Sequence, residues 1–410
     1  YYMTVNQFNA NSLTWGGAGV AALDRAAMVA GNPASMVYFD LEENLEYGGM
    51  LPADFDGLMA PPVDAPGIFA EWDDSSWIGP SDAVRIWEFA VDWDTPEDST
   101  FGLSGQPNYT IPTADVDPNM CWYDSNCVPQ PGTSVGLDAI SDRLMHRLQY
   151  RNFGDYATLL TNHTVDANGA DHAGIHWFEL RDNGSGWDMY QEGVFAPDSD
   201  HRWMGSIAMD HVGNIGLGYS LSSSSTYPSV AYTGRLSNDP AGMLPQGELL
   251  LVAGTGSQTG ANRWGDYSMM GVDPHDDCTF WYTQEYIEVT GSNTWKTRIG
   301  SFRFPNCSLG PNGLLEGTVT GLGYCDEDPA ALVDAQVVIQ GGQDTYTVTT
   351  GVDGSYSLLV DRANSPVDVR VTYPEYEIGE ATGVTISAGT TSRQDFDLRW
   401  LQPCVSVTPD

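Results

Sequence analysis

Three arginines recur in a short motif that could bind an acidic ligand. The segments Arg151–Tyr156 (RNFGDY), Arg202–Ile207 (RWMGSI) and Arg263–Tyr267 (RWGDY) share an arginine, an aromatic residue, a glycine and an Asp or Ser. Because a guanidinium is a planar fork that matches a carboxylate, three converging arginines could hold one acidic group. Alternatively, each arginine pairs inside its own repeat with a strand carbonyl, or with Asp155 or Asp266. We favour the second interpretation, because a motif found in every repeat usually serves the architecture.

Two carboxylates and a tyrosine near the third arginine suggest a second chemistry. Asp266, Glu285 and Tyr267 could act as acid, base and nucleophile in glycoside hydrolysis, which uses paired carboxyl groups. Their spacing does not require that they meet in the fold. The sequence therefore favours structural roles for these three residues and keeps catalysis as the alternative.

Short clusters of aspartate offer oxygen ligands for a metal ion. They are Asp54 and Asp56, Asp73 and Asp74, Asp115 and Asp117, and Asp326 and Asp328. Ca²⁺ prefers such ligands, but none of the clusters has the glutamate that completes an EF-hand loop. Aspartate is also a common turn residue. For each single cluster we favour a turn; whether one of them binds Ca²⁺ stays open, and Ca²⁺ is the one cofactor that the sequence suggests.

Charge and missing motifs exclude several classes of function. The chain of 410 residues has 55 Asp and Glu against 16 Lys and Arg, a net charge of −39. Such a surface repels a phosphate backbone, so nucleic acid is not an expected partner. The histidines show no HExxH spacing, and the sequence has neither a Gly-x-Ser-x-Gly elbow nor a P-loop. No apolar run is long enough to predict a helix inserted in a membrane.

The cysteines indicate an oxidising compartment. The chain has six, and they form no CxxC pair, which disfavours a zinc ribbon. An even number of sparse cysteines in a strand-rich chain is typical of disulfides and of extracellular or cell-surface proteins. Although six cysteines allow fifteen connectivities, we expect neighbours to pair. The predicted disulfides are Cys121–Cys127, Cys278–Cys307 and Cys325–Cys404.

The elements that position these residues are predicted to be short strands. Aromatic and β-branched residues alternate with polar ones over 85–93, 174–180, 215–221, 279–286 and 298–304. Helical periodicity is confined to 19–31, which could equally be a strand and a turn, and to 137–148. The motif glycines Gly154, Gly205 and Gly265 lie 51 and then 60 residues apart, the length of a propeller blade with its loops. This spacing predicts about five blade-sized units, the first of them incomplete.

Beyond a linker at 308–314 the pattern changes to that of a small sandwich. Turn signals separate seven strand candidates, at 315–320, 335–340, 346–350, 355–360, 367–373, 383–387 and 394–398. The sequence therefore predicts an all-β chain. It comprises a β-propeller-like body over 1–307, which could be a partial propeller, and a seven-stranded sandwich of immunoglobulin or transthyretin type over 315–410.

The C-terminal segment resembles the carboxypeptidase-regulatory-like family, a transthyretin-like sandwich. The resemblance rests on these segments: Leu315–Val319 (LEGTV), Val333–Ile339 (VDAQVVI), Thr349–Leu358 (TTGVDGSYSL), Tyr373–Tyr376 (YPEY) and Val384–Thr391 (VTISAGTT). Modules of this family generally accompany other domains as non-catalytic spacers, stalks or adhesion units. The resemblance thus implies a tethering role.

The body resembles secreted bacterial proteins with sialidase-like or BNR-like propellers. The segments that carry this resemblance are Asp142–Gly154, His201–Asp210, Asn262–Ser268 and Asp276–Tyr282. Sialidases have repeated Ser-x-Asp-x-Gly-x-Thr-Trp boxes and an early Arg-Ile-Pro, and this chain has neither. The resemblance therefore implies a propeller fold without predicting sialidase activity.

These patterns favour a non-catalytic extracellular protein with a role in adhesion or assembly. The alternative is a carbohydrate-active enzyme, a glycoside hydrolase, or a glycan-binding module that uses the central pocket of the propeller. The chain begins inside an apparent strand at Tyr1–Met3. That strand could pair with a cleaved upstream segment or with a neighbouring subunit, as in a filament. The plainer expectation is a monomer whose blades close without a partner.

The predicted Cys325–Cys404 disulfide can be tested by peptide mapping. It would close the sandwich from its first loop to its end, and so long a loop contributes about 4 kcal/mol in the chain-entropy model. Digestion without reduction should yield one cross-linked peptide that contains both cysteines. A free thiol at either position would contradict the pairing.

Overall fold

The computed structural model describes residues 1–11, 14–41, 47–57, 61–62, 65–274, 276–307, 312–322, 329–342, 344–387 and 389–401. The chain divides into two compact units. The first, which we call the body, comprises Tyr1–Asp56, Pro62–Asp273 and Cys278–Asn306; the second comprises Gly57–Pro61, Pro274–Asp277 and Cys307–Asp410. Helices are limited to α1 (Arg25–Val29) and short 3₁₀ turns in the described parts of the chain. In those parts, no helix is long and apolar enough to span a membrane.

The body consists of antiparallel meanders that follow one another along the chain. The first contains β1 (Tyr2–Phe8), β2 (Trp15–Leu23) and β3 (Met36–Leu41), and the second contains β4 (Leu51–Phe55), β5 (Gly67–Asp73), β6 (Ala83–Ala90), β7 (Thr100–Phe101) and β8 (Tyr109–Pro112). The third contains β9 (Met145–Asn152), β10 (Ala157–Asp166), β11 (Ala173–Asp182) and β12 (Trp187–Phe195). The fourth contains β13 (His201–Met209), β14 (Ile215–Ser222), β15 (Ser229–Arg235) and β16 (Leu249–Val252). The fifth contains β17 (Met269–Val272), β18 (Phe280–Ile287) and β19 (Trp295–Phe302).

This arrangement confirms the all-β, propeller-like fold. Most neighbouring strands of a meander pair in sequence order, as in a propeller blade, although β8 pairs with β6. In the described part of the body the meanders form four sheets of three, nine, four and three strands, so the predicted count of about five blade-sized units stays a prediction. The three arginine motifs fall at different places in their meanders, since Arg151 lies near the end of β9, Arg202 lies near the start of β13 and Arg263 precedes β17. The second and third meanders are joined by a parallel pairing of β4 with β9.

Apolar side chains from neighbouring meanders pack against one another to form the cores of the body. Trp72 of β5 and Ile86 of β6 share a buried cluster with Leu159 of β10 and Phe178 of β11. A further cluster joins the third and fourth meanders through Trp177 and Leu217, among others. Because both faces of a middle meander are covered, strands such as β5 are buried along their whole length.

The helix predicted for 137–148 is wrong, whereas 19–31 contains the end of β2 followed by the short helix α1 (Arg25–Val29). In the second segment β9 begins at Met145, and no helix forms. Leu144 and Met145, which are consecutive, are both buried, in two different clusters. A strand that is buried on both faces carries apolar residues without strict alternation, and this produced the misleading helical spacing.

The second unit contains the sandwich. One sheet comprises β20 (Asn312–Leu322), β21 (Ala330–Ala331) and β24 (Ser355–Asp361), with β27 (Thr391–Arg393) and β28 (Phe396–Arg399) in parallel on β20. The other comprises β22 (Gln336–Gln340), β23 (Thr345–Thr349), β25 (Val367–Thr372) and β26 (Gly379–Val384). Alternate residues of these strands form one core that includes Val337, Leu358 and Val369.

Six of the seven predicted sandwich strands are confirmed to within a few residues, and one is displaced. The sixth strand lies at Gly379–Val384 instead of 383–387. Beyond Val384 the backbone N–H of Ile386 donates to the Ser365 hydroxyl, 2.8 Å away, and not to a neighbouring strand. β20 also begins before the predicted end of the linker, at Asn312.

The predicted disulfide Cys121–Cys127 is confirmed, with the two Cα atoms 5.6 Å apart. Cys278 and Cys307 are each disulfide-bonded, and their pairing with one another stays a prediction. Cys325 and Cys404 lie outside the described residues, so the third pair stays a prediction.

A buried pair of carboxyl groups lies in the second meander. Glu71 and Asp73 are two residues apart on β5, so they face the same side of the sheet. Arg85 of β6 forms an ion pair with Asp73. The Gly48 N–H donates to Glu71 Oε2 at 3.0 Å. One guanidinium thus lies beside two buried acids. Burial, with a smaller contribution from Asp73, raises the pKa of Glu71 well above its ordinary value.

We expect this acid to make the stability of the protein depend on pH. A raised pKa in the folded state means that stability falls as the pH rises from the unfolded pKa, about 4.3, to the folded value. The variant Glu71→Gln keeps the shape of the side chain without a titrating group. Denaturation at pH 5 to 8 should show the wild type losing stability relative to Glu71→Gln, while the exposed Glu97→Gln follows the wild type. Parallel curves for all three proteins would contradict the raised pKa.

Candidate functional site

The first two motif arginines are buried in the body, where their side chains contact other residues of the body. Arg151 is buried, with its guanidinium carbon 5.8 Å from the centroid of the Phe153 ring. Arg202 donates to Glu248 Oε2 at 2.6 Å, to Asp198 Oδ1 at 2.8 Å and to the Asp200 carbonyl at 2.7 Å. Its donor groups are therefore directed at carboxylates of its own meander and of the loop before it.

The third arginine lies on the surface. The side chain of Arg263 is 69% exposed and forms an ion pair with Asp266, three residues later. Between them Trp264 is buried and donates to the Ser220 hydroxyl at 2.9 Å, which anchors the loop. Gly265 has φ of +55°, a conformation that favours glycine, and lets the loop turn back on itself. The anchored loop directs Arg263 outwards.

Arg263 is shared by two adjoining pockets, which we call the Arg263 cleft. The larger has a volume of about 510 Å³, and Asp266, Tyr267, Glu285 and Trp295 contribute to its walls. The predicted acid, base and nucleophile are thus brought to one cavity, although the sequence did not require it. Tyr267 is 90% exposed and Trp295 is 52% exposed. The cleft therefore presents two aromatic rings beside two carboxyl groups.

The two carboxyl groups in the larger pocket have different surroundings. Asp266 Oδ2 accepts a hydrogen bond from the Arg263 guanidinium, whereas the buried Oδ1 has no hydrogen-bond partner. Glu285 Oε1 accepts from the Gly265 N–H at 2.9 Å. Burial, with a smaller contribution from Asp266, raises the pKa of Glu285. Two acids with unlike settings in one cavity are typical of a functional site.

The smaller pocket contains residues that sequence reasoning missed. It has a volume of about 190 Å³, and Tyr123, Asp138, Asp142 and Arg143 contribute to its walls with Arg263. Arg143 Nη2 donates to Asp142 Oδ2 at 2.7 Å. Burial raises the pKa of Asp138. Asp142 and Arg143 open the segment 142–154 that resembles propeller proteins, and this was the one signal that pointed to them.

Several residues in and beside the walls of the smaller pocket have positive φ angles, which are rare for residues other than glycine. Cys121, Trp122, Tyr123 and Ile140 all have φ between +40° and +60°. Such conformations cost on the order of 1–3 kcal/mol for a residue that is not glycine, and they concentrate at functional sites. The Cys121–Cys127 disulfide and a bond from the Cys121 N–H to Asp171 Oδ1, 2.5 Å long, hold the first loop. Tertiary contacts therefore maintain the shape of this pocket.

The predicted calcium ligands have other partners. Arg147 donates to Asp56 Oδ2 at 2.6 Å, and its guanidinium lies 3.1 Å from Asp54 Oδ2. Both carboxylates of this predicted calcium cluster are therefore paired with an arginine. Asp73 pairs with Arg85.

The remaining clusters are turn residues or lie outside the described parts. Asp74 accepts from the Ser76 N–H, and Asp117, in the same loop as Asp115, accepts from the Asn119 N–H. Asp326 and Asp328 lie outside the described residues.

Comparisons with known proteins identify one domain family in the chain and several distant structural similarities. Residues 315–399 match the carboxypeptidase regulatory-like domain family. Similar solved structures include an α-L-arabinofuranosidase from Fusarium graminearum, at 8% identity and TM-score 0.30, covering 74% of this chain and 93% of that one. They also include the GH32 β-fructofuranosidase of Bombyx mori, at 9% identity and TM-score 0.29, covering 97% of this chain and 83% of that one. No curated protein matches the chain.

An adhesin is among the weaker structural similarities. It is a bacterial ice-binding adhesin, at 11% identity and TM-score 0.13, covering 59% of this chain and 92% of that one. At these identities and TM-scores the solved structures carry no argument about this chain. They assign no residue of the Arg263 cleft.

The role of Arg147 can be tested by removing its charge. Its side chain is 1% exposed, and Arg147→Met would leave Asp54 and Asp56 without their cation. Breaking a buried ion pair costs about 3–5 kcal/mol, and we expect a loss near the lower end because Asp54 is half exposed. The matched control is Arg143→Met, whose exposed pair with Asp142 should cost less than about 1 kcal/mol. Equal losses in urea denaturation would contradict this assignment.

Proposed function

We propose that this is an extracellular, non-catalytic protein that binds a neutral glycan in the Arg263 cleft. The observation that carries the proposal is the meeting of Tyr267, Trp295, Asp266 and Glu285 in one cavity of about 510 Å³. Their types and exposure match the chemistry of a sugar ring.

The C–H faces of a sugar are apolar and pack on aromatic rings. Exposed Tyr267 and Trp295 offer such surfaces. The hydroxyl groups of a sugar need acceptors and donors in fixed positions. The carboxyl groups of Asp266 and Glu285 line the cavity and supply acceptors, and Arg263 supplies donors. The cleft thus offers both kinds of contact that a sugar makes.

Charge favours a neutral ligand over an acidic one. The chain has a net charge of −39, which repels anions at long range. Within the cleft, Arg263 and Arg143 are already paired with Asp266 and Asp142. A carboxylate or sulfate on the ligand would have to compete with these internal acids.

Location outside the cell is supported by the disulfides. Cys121, Cys127, Cys278 and Cys307 are all bonded, and such bonds persist in oxidising compartments. The carboxypeptidase regulatory-like segment at 315–399 suits a tether or spacer beside a binding domain. Assembly through the N-terminal strand, Ca²⁺ binding and sialidase-like ancestry of the body stay predictions.

Glycoside hydrolysis is the second candidate, and a specific observation favours it. Asp266 is paired with Arg263, whereas burial raises the pKa of Glu285. Glycosidases use two carboxyl groups whose environments differ, one protonated as the acid and one charged. Glu285 would be the acid in such a reaction.

Binding can be measured by calorimetry with neutral xylo-, cello-, manno- and arabino-oligosaccharides. We expect at least one series to bind, and Tyr267→Ala and Trp295→Ala each to weaken its binding about fivefold, since an aromatic contact contributes on the order of 1 kcal/mol. The control is Trp93→Ala, which removes a ring of similar exposure, 46%, from a loop outside the cleft.

Two results would change the assignment. If no series binds, or if Trp93→Ala weakens binding as much as Trp295→Ala, glycan binding in the cleft is wrong. If the bound oligosaccharide gains new reducing ends, and Glu285→Gln stops this while binding persists, the protein is a hydrolase.

A further inference from the structure

The Arg263 cleft continues into a third pocket. This pocket has a volume of about 340 Å³ and is lined by Trp77, Tyr123 and Asp142. Tyr123 and Asp142 also line the smaller pocket of the cleft, and Arg263 joins that pocket to the larger one. Shared residues thus connect three pockets in a row. The row runs from Trp295 at one end to Trp77 at the other.

Both ends of this row are aromatic, and the aromatic groups at the Trp77 end are held in place. The Trp77 ring is 37% exposed and lies edge-on to the buried Trp72, with 6.2 Å between the ring centroids. The Tyr123 ring lies 6.0 Å from the Trp77 ring on the other side. A ring that is packed in this way loses little conformational freedom when a ligand stacks on it. Trp77 is therefore a preformed platform.

The middle of the row is polar. Asp124, Asp138, Asp142, Arg143 and Arg263 line the smaller pocket. Arg143 is paired with Asp142 and Arg263 with Asp266, so both arginines are neutralised and Asp124 and Asp138 add acidic groups. Burial and the neighbouring aspartates keep the Tyr123 hydroxyl protonated, so it can donate a hydrogen bond. The row therefore alternates as aromatic, polar and aromatic. A chain of linked sugars presents rings and hydroxyl groups along its whole length and matches this order.

We infer that the three pockets form one groove for a linear, neutral polysaccharide, with at least one sugar in each pocket. This inference rests on the proposed function and extends it from a sugar-binding cleft to a site that selects polymers. Trp77 is a specificity residue in this arrangement, because it is reached only by a ligand long enough to pass Tyr123. A short oligosaccharide occupies the larger pocket and does not contact it.

The competing occupant is a basic peptide, which the acidic side chains would attract. A peptide bound by charge needs the carboxylates but not the rings at the two ends, and its affinity falls steeply with salt. Oligolysine is the probe for this alternative. The aromatic ends and the internally paired carboxylates favour the polysaccharide.

The test compares ligand lengths by calorimetry on the full chain. The probes are the disaccharide and the hexasaccharide of each neutral series, with oligolysine in parallel. We expect the hexasaccharide of the bound series to bind at least tenfold more tightly than its disaccharide. Trp77→Ala should remove that gain and leave the affinity for the disaccharide unchanged. Trp93→Ala should change neither value.

A second variant covers the case in which Trp77→Ala fails to fold. Trp77→Phe keeps a ring against Trp72 and should retain most of the length-dependent gain. Equal affinities for the two lengths, or a gain that Trp77→Ala leaves intact, would overturn the groove while the sugar-binding cleft stands. Binding of oligolysine with no oligosaccharide bound would overturn both the groove and the proposed function.

Discussion

The neutralisation of buried carboxylates by few cations shapes this protein. Only 16 lysines and arginines face 55 acidic residues, so single arginines in the interior serve two carboxylates each. Arg202 bridges Asp198 and Glu248, and Arg147 lies between Asp54 and Asp56. Where one guanidinium lies beside two acids, as at Glu71 and Asp73, burial and the neighbouring carboxyl raise the pKa of Glu71. An unpaired buried charge would cost several kcal/mol, so these pairings constrain how the meanders pack.

The small number of lysines and arginines also determines which charged groups line the cleft. Arg263 and Arg143 are on the surface and are each paired with a nearby acid, so neither arginine is a free positive charge in the cleft. Tyr267 and Trp295 add exposed rings. The strained loop at Cys121–Tyr123 is held against this surface by a disulfide and by Asp171. A site of this kind is preorganised for hydrogen bonding to an uncharged ligand.

Local patterns predicted the strands well and the irregular segments poorly. The alternating run at 174–180 lies within β11. The helix expected at 137–148 does not form, because Leu144 and Met145 are buried on opposite sides. Asp138 and Asp142 occur in that same segment, and an assumed helix concealed their place in the cleft. Side-chain periodicity reports burial on one face and fails where neighbouring meanders cover both faces.

The sequence by itself determined the all-β class, the neighbouring disulfide Cys121–Cys127 and the acidic balance of the chain, because strand alternation, short loops and composition are local properties. Only the tertiary structure decided which arginine faces solvent. The motif is nearly the same at Arg202 and at Arg263, yet one is buried among carboxylates 4 and 46 residues away and the other lines a cleft. Such partners come from distant loops. Their meeting depends on how the meanders stack, which no local pattern encodes.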